Sequence, residues 1–312
     1  MSSQSTCQCR YGGLVVLLQT SPESPDIFRL VMRLARAQDT AALREAAIAA
    51  GVTEQEVTAY FVFCSGFLSN MGNYKGFGDS KFVPNLAVEK LEMLVKASGA
   101  FKAEPAVVGE LWEAVKAPLY SLTDKEKQLG LGLKGITKYF TPNCDLEDSN
   151  LVNRFFKTKS LEGYINRVIK TTEGGKTVYE IRNAGVRSAT LLEEDFEGCV
   201  MKVTTGDYSG LLDRVAANLT EAAKHAANTN ESSMLAEYVS SFREGSLDKH
   251  KEGSRFWIKN KGPLVETYIG FIETYRDPAG MRGEFEGFVS MVNKQMSEKF
   301  QVGRLLRPIE TY

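Results

Sequence analysis

The spacing of apolar residues changes near residue 160 of this 312-residue chain, and that change constrains the fold more than any other feature. Before it, apolar residues recur three and four positions apart, as on one face of a helix. After it, apolar and polar residues alternate over 164–170 and 177–181, with Gly174 and Gly175 between them as hairpin turn residues. Strands inserted among helices, without strict alternation of the two, predict an α+β fold rather than a doubly wound sheet.

Helix start signals precede the apolar stripes of the first part. Ser24 followed by Pro25 marks one start, and Thr53 with Glu56 forms a predicted capping box. Later segments predict helices over 88–95, 111–115, 211–219 and 234–242, a strand over 200–204, and two further strands over 264–275 and 284–292. The turn between these last two strands is predicted at 277–280.

Composition excludes several classes of function. The 38 Lys and Arg residues balance 39 Asp and Glu residues, so no net charge attracts nucleic acid or an anionic membrane. The longest aliphatic run, 14–18, is far shorter than the ~20 residues of a membrane helix and has no basic leader. Five scattered cysteines indicate a reducing cytoplasm, and the terminal pair Cys7 and Cys9 is a weak candidate for a soft metal. We therefore expect a cytoplasmic protein with no nucleic-acid or membrane partner.

Common catalytic patterns are missing from the sequence. Metal-dependent hydrolysis needs two or three imidazoles or carboxylates on one ion, whereas the only histidines, His225 and His250, lie outside any H-E-x-x-H pattern. No G-x-S-x-G nucleophile pattern is present. Residues 130–135 match a dinucleotide-binding loop by letters, but the charged residues 123–128 before them predict a helix where a strand is required. We interpret 130–135 as a helix end and turn.

Two segments carry more polar and aromatic side chains than packing requires. Residues 69–84 form a predicted loop rich in glycine, aromatic and amide residues, which suits close approach to a ligand and equally suits a rigid surface turn. Within 266–278, a strand would place Phe271, Glu273 and Tyr275 on one face. A carboxylate can bind a free amino group and a phenol can donate to a carbonyl oxygen. The alternative is an exposed Glu273 and a half-buried Tyr275.

Together these segments resemble the dipeptidyl peptidase III family, zinc aminopeptidases that remove dipeptides from the free N-termini of peptides. The resemblance rests on residues 11–14, 19–23, 69–84, 132–137, 253–258 and 261–300, and extends from about residue 10 to residue 300. It implies the family's lower lobe, in which helices surround a small five-stranded β-barrel core, here in incomplete form. Residues 1–9 and 301–312 then form tails that depart from the family pattern.

The resemblance also implies roles for four side chains. Glu273 corresponds to the acid that anchors the amino terminus of the substrate. Tyr275 corresponds to the catalytic hydroxyl that polarises the scissile carbonyl. Phe77 and Glu286 correspond to substrate-binding positions in the cleft. The implied partners are short peptides with a free N-terminus.

The family's zinc motif, HELLGH, and its third ligand belong to a second half that this sequence does not contain. Zinc is therefore expected in complete family members and not on this chain, which by itself should lack peptidase activity. The missing C-terminal half is a possible partner. Two alternatives stay open: a non-catalytic peptide-binding module, and a truncated or degenerate gene product.

Overall fold

Residues 20–295, 297 and 298 are described by the computed structural model. The expected tails 1–9 and 301–312, the aliphatic run 14–18, and the pair Cys7 and Cys9 lie outside these residues. The first part of the described chain is helical, with α1 (Ser24–Ala37), α2 (Thr40–Ala49), α3 (Glu54–Asn70), α4 (Val88–Ala97), α5 (Gly99–Ala103) and α6 (Pro105–Tyr120).

The start signals act as predicted. Helix α1 begins at Ser24 with proline in its first turn. The capping box of α3 is confirmed, because the Thr53 amide donates to Glu56 Oε2 at 2.8 Å and the Glu56 amide donates to Thr53 Oγ1 at 3.3 Å. The apolar stripes of these helices form one core, which includes the fully buried Phe67. This core supports the end of α3, from which the 69–84 loop leaves.

The second part combines helices with two sheets. Its elements are α7 (Leu146–Lys159), β1 (Asn166–Glu173), β2 (Lys176–Ala184), β3 (Ala189–Phe196), β4 (Cys199–Asp207), α8 (Ser209–Ala223), α9 (Thr229–Glu244), α10 (Leu247–Trp257), β5 (Val265–Phe271) and β6 (Phe285–Met291). The β1–β2 hairpin is confirmed, and Gly174 and Gly175 occupy its turn with φ of 54° and 82°. Helices α8 and α9 share a core with Phe271 and Phe285 at the buried end of the β5–β6 pair.

The α+β prediction is confirmed, but the five-stranded barrel implied by the resemblance is wrong for the described strands. They form an open sheet of order β1-β2-β4-β3 and a separate two-stranded sheet of β5 and β6. A barrel requires its first and last strands to pair. Here Val168 of β1 instead hydrogen-bonds to the backbone of Tyr139 at 2.8 Å and Thr141 at 3.1 Å. The outer edge of β1 is thus already paired with an irregular segment.

Residues 130–135 contain a short 3-10 helix at Gly132–Lys134, so the predicted turn is present, whereas the predicted helix end is wrong. A side chain on Gly135 would lie 2.4 Å from the Gly130 amide nitrogen, so two backbone segments meet there. The predicted helix over 123–128 is wrong, because residues 124–127 form a turn and Gln128 forms a β-bridge with Ser80. Among the helices of the described residues, none has both the length and the apolar character needed to cross a membrane.

Candidate functional site

Glu273 and Tyr275 lie beyond the end of β5, not within a strand. Strand β5 stops at Phe271, which is 6% exposed and belongs to the core, whereas Tyr275 is 59% exposed. The predicted strand over 264–275 is therefore wrong beyond Phe271, and the strand period that would place Glu273 and Tyr275 on the face of Phe271 does not extend to them. The chain turns after β5, because the Asp277 amide donates a hydrogen bond to the Thr274 carbonyl at 3.3 Å. The alternation of faces along a strand does not extend through such a turn. Both proposed substrate-contacting side chains are nevertheless exposed.

The loop between β5 and β6 is held by a buried aspartate. Asp277 accepts hydrogen bonds from the amides of Ala279, Met281 and Arg282 at 3.1, 2.9 and 2.7 Å. The Arg282 side chain is fully buried, with Nη1 3.6 Å from Asp277 Oδ2 and the guanidinium 4.4 Å from the centre of the Phe140 ring. Burial lowers the pKa of Arg282, while the charge of Asp277 opposes that shift. The loop is consequently fixed from within.

Arg276 joins this loop to the end of α3. Its side chain is buried and forms an ion pair with Glu284. Nη1 donates to Thr20 Oγ1 at 2.9 Å, and Nη2 donates to the carbonyl of Asn70, which is 206 residues away in sequence. Asn70 in turn accepts from the Gly76 amide at 2.9 Å. The two segments singled out in the sequence are therefore in direct contact.

Phe77 and Tyr275 meet at this junction. Their ring centroids lie 5.9 Å apart with planes at 63°, an edge-to-face contact. Phe77 is 85% exposed, so it contributes almost nothing to a core. An exposed aromatic pair on anchored loops can cover or stack on a bound chain.

Three carboxylates lie together beside the aromatic pair. Glu286 Oε2 accepts from the Tyr268 hydroxyl at 3.2 Å. The pKa of Glu286 is raised overall. Partial burial is the largest cause, the hydrogen bond from Tyr268 opposes it, and the neighbouring charge of Glu273 adds to it. Burial, assisted by Glu286 and Glu273 and opposed by Arg276, raises the pKa of Glu284 to about 7. Glu284 is buried against Arg276, so Glu273 and Glu286 are the members of this group that can offer negative charge to a cationic ligand.

The described residues do not fit a zinc centre. Within 20–295, 297 and 298, no group of three or more His, Cys, Asp or Glu side chains is arranged to hold a metal ion. His225 is exposed in the turn that follows α8, and His250 is stacked on Tyr238 with ring centroids 5.2 Å apart. A catalytic zinc site takes three converging protein ligands.

Sequence reasoning assigned no role to three residues of this region: Tyr268, Arg276 and Glu284. Tyr268 and Arg276 lie in the segment that was singled out, and Glu284 lies at the start of the predicted second strand. The one local signal is that Arg276 directly follows the candidate Tyr275, because an arginine that becomes buried needs a carboxylate or carbonyl partner. Its partners come from distant parts of the chain, which no local pattern reveals.

The chain is similar in sequence to one family of peptidases. Residues 111–305 match the sequence profile of peptidase family M49. Dipeptidyl peptidase 3 from Homo sapiens is 49% identical over 302 residues, covering 93% of this chain and 41% of the human protein. The protein of that name from Nematostella vectensis is 44% identical over 309 residues, covering 93% of this chain and 42% of its own length. The chain thus spans about two fifths of the length of the curated relatives it matches.

Two solved structures are also similar. Dipeptidyl peptidase III from Caldithrix abyssi matches with a TM-score of 0.44 at 14% identity, over 89% of this chain and 42% of that chain. The enzyme from Corallococcus sp. strain EGB matches with a TM-score of 0.40 at 14% identity, over 98% of this chain and 43% of that chain.

Proposed function

The chain belongs to peptidase family M49, and we propose that it binds short peptides by their free amino terminus. The observation that carries this proposal is the contact of Phe77 with Tyr275 beside the exposed Glu273. In this proposal, the Glu273 carboxylate pairs with the peptide ammonium group. The Tyr275 hydroxyl donates a hydrogen bond to a peptide carbonyl oxygen, and Phe77 covers the bound backbone.

Glu286 supports the same role from the neighbouring strand. Its hydrogen bond with Tyr268 holds it near Glu273, so the two carboxylates create one negative region for the ammonium group. The similar proteins are named dipeptidyl peptidase 3, and the extension of peptide binding to this chain is part of the proposal.

We further propose that the chain has no peptidase activity by itself. The zinc-dependent release of dipeptides would belong to complete family members, whose metal ligands lie in the second half of the family sequence. In this chain, neither histidine is followed by glutamate, and the described residues do not fit a zinc site. Turnover of a dipeptidyl-arylamide by purified protein supplied with zinc would contradict this second statement without affecting peptide binding.

Calorimetry with a tetrapeptide and its N-acetylated twin tests the binding mode. The free-amine peptide is expected to bind, and the acetylated twin to bind about tenfold more weakly, because a charge-assisted contact of ~1.5–3 kcal/mol is lost. Glu273→Gln should remove the difference between the two peptides. Glu252→Gln, at a half-buried glutamate of α10 that pairs with Arg255, is the control for a lost charge and should preserve the difference. Equal affinity of the unmodified protein for both peptides would refute the anchoring role.

A second candidate, docking of the C-terminal half of a family member, is favoured by apolar residues at the free end of the β5–β6 pair. The exposed apolar side chains on or next to these two strands are Leu264, Val265, Phe288, Val289, Met291 and Val292. A two-stranded sheet with such a surface gains stability from a further partner. Co-expression with the C-terminal part of a dipeptidyl peptidase 3 tests this: the two chains should co-elute, and Val289→Asp should separate them. Separate elution of the unmodified pair would rule it out.

A further inference from the structure

Arg276 forms a hydrogen bond at the C-terminal end of helix α3. This helix ends at Asn70, and Met71 follows in the left-handed conformation with φ of 53°. The last carbonyls of a helix lack partners within it and carry partial negative charge, which a cation stabilises. Arg276 donates to the Asn70 carbonyl and to Thr20 Oγ1, and the Thr20 hydroxyl donates to the Met71 carbonyl at 3.0 Å.

The same guanidinium also holds the strand that follows the candidate site. Its Nε faces Glu284, directly before β6, and the Glu284 amide donates to the Glu273 carbonyl. Three nitrogens of one side chain thus contact three acceptors on separate segments. The forked guanidinium allows this arrangement, whereas a lysine ammonium acts as a single point of charge.

The 69–84 loop is anchored on both sides of Phe77. On one side, the Gly76 amide donates to Asn70 Oδ1 at 2.9 Å. On the other side, the Leu129 amide donates to the Asp79 carbonyl at 2.9 Å. The first of these anchors is Asn70, and the Asn70 carbonyl accepts a hydrogen bond from Arg276. The position of Phe77 therefore depends on Arg276, which directly follows Tyr275 in the sequence.

We propose that Arg276 is a positioning residue that sets the Phe77 ring against the Tyr275 ring and so keeps the peptide-binding surface assembled. This inference rests on the proposed function for its consequence in binding, but the ring contact can be measured without any peptide. Arg276 acts through Asn70 and Glu284 and does not itself need to touch the ligand.

Nuclear Overhauser effects between labelled Phe and Tyr rings test the inference. The cross-peak between Phe77 and Tyr275 is assigned by its loss in Phe77→Leu. Arg276→Gln leaves Glu284 buried without its partner, so the decisive variant combines Arg276→Gln with Glu284→Gln. The cross-peak should disappear in this paired variant and weaken in Arg276→Lys. It should persist in Arg255→Gln, which removes an exposed arginine of α10. An unchanged cross-peak in the paired variant, with cooperative thermal unfolding retained, would overturn the proposal.

Peptide binding gives a second readout. Compared with Glu284→Gln alone, the paired variant should bind a free-amine tetrapeptide about 2- to 10-fold more weakly, the effect of losing one aromatic contact. Unchanged affinity in the paired variant would count against Arg276 as a positioning residue. Failure of the unmodified protein to bind the peptide would instead remove the proposed function, and the cross-peak would still decide the positioning role.

Discussion

The Phe77 ring contacts the Tyr275 ring edge-on although the two side chains are 85% and 59% exposed. Aromatic pairs usually gain their stabilisation by leaving water, and this pair leaves most of its surface in water. The contact therefore depends on the two loops that present the rings, and those loops are held by Arg276 and Asp277. Fixed loops that present exposed aromatic rings are typical of binding surfaces.

Phe77→Ala should weaken peptide binding with little effect on stability. Because the side chain is so exposed, its removal should change the free energy of unfolding by no more than ~0.5 kcal/mol. Leu133→Ala is the matched control, since Leu133 is 88% exposed on another loop. Calorimetry with a free-amine tetrapeptide should show weaker binding only for Phe77→Ala. Equal affinities of the two variants would exclude Phe77 from the binding surface.

Glu284 should make the protein less stable as the pH rises. Its pKa is raised from 4.5 to about 7 by burial, with neighbouring carboxylates adding to the effect. Between these values the native carboxyl keeps a proton that the unfolded chain releases, so the free energy of unfolding falls with increasing pH. The loss is on the order of 3 kcal/mol. Urea unfolding at several pH values should show that Glu284→Gln gains relative stability from about pH 4.5 to 7. Glu252→Gln controls for the lost negative charge, and parallel pH curves of Glu284→Gln and the unmodified protein would contradict the prediction.

His250 should produce the opposite dependence on pH. Burial lowers its pKa from the ordinary value of 6.5, and a side chain on Gly270 would lie 2.4 Å from its Cε1 atom. Below about pH 6.5 the unfolded imidazole binds a proton that the buried ring resists, so the free energy of unfolding falls as the pH falls. His250→Phe keeps a ring against Tyr238 and should reduce this loss of unfolding free energy at acidic pH. His225→Phe, at an exposed histidine, should leave the loss unchanged. Urea unfolding between about pH 4.5 and 7 measures both, and the same loss in the two variants would contradict the prediction.

Asp277→Ala should cost far more stability than loss of an exposed aspartate. It removes the acceptor of three backbone amides and leaves Arg282 buried without its ion pair. Breaking a buried pair in this way costs ~3–5 kcal/mol. Asp195→Ala breaks the exposed pair with Lys176 and should cost well under that amount. Chemical denaturation of both variants measures the difference, and similar losses would show that Asp277 does not hold the loop.

Local sequence signals determined which elements form. The Thr53 capping box, the Gly174-Gly175 hairpin turn and the apolar stripes of α1 and α3 each depend on residues a few positions apart, so their free energies are decided locally. The α+β class followed from the same periodicities. Strand β3 and helices α2, α5, α7 and α10 were not predicted.

The sequence also identified Phe77, Glu273, Tyr275 and Glu286 as candidate site residues, and their functional roles stay predictions. It suggested that Glu273 and Tyr275 share a strand face, which failed because β5 ends at Phe271 and the chain turns.

Only the tertiary structure decided how the strands pair and how the two candidate segments meet. The open sheet follows from the hydrogen bonds of Val168 with residues that precede α7, and the contact of Phe77 with Tyr275 follows from Arg276 at the end of α3. Both depend on partners far apart in sequence. Such partners are selected by the packing of whole elements, because a buried guanidinium or strand edge must find its hydrogen-bond partners wherever the fold brings them.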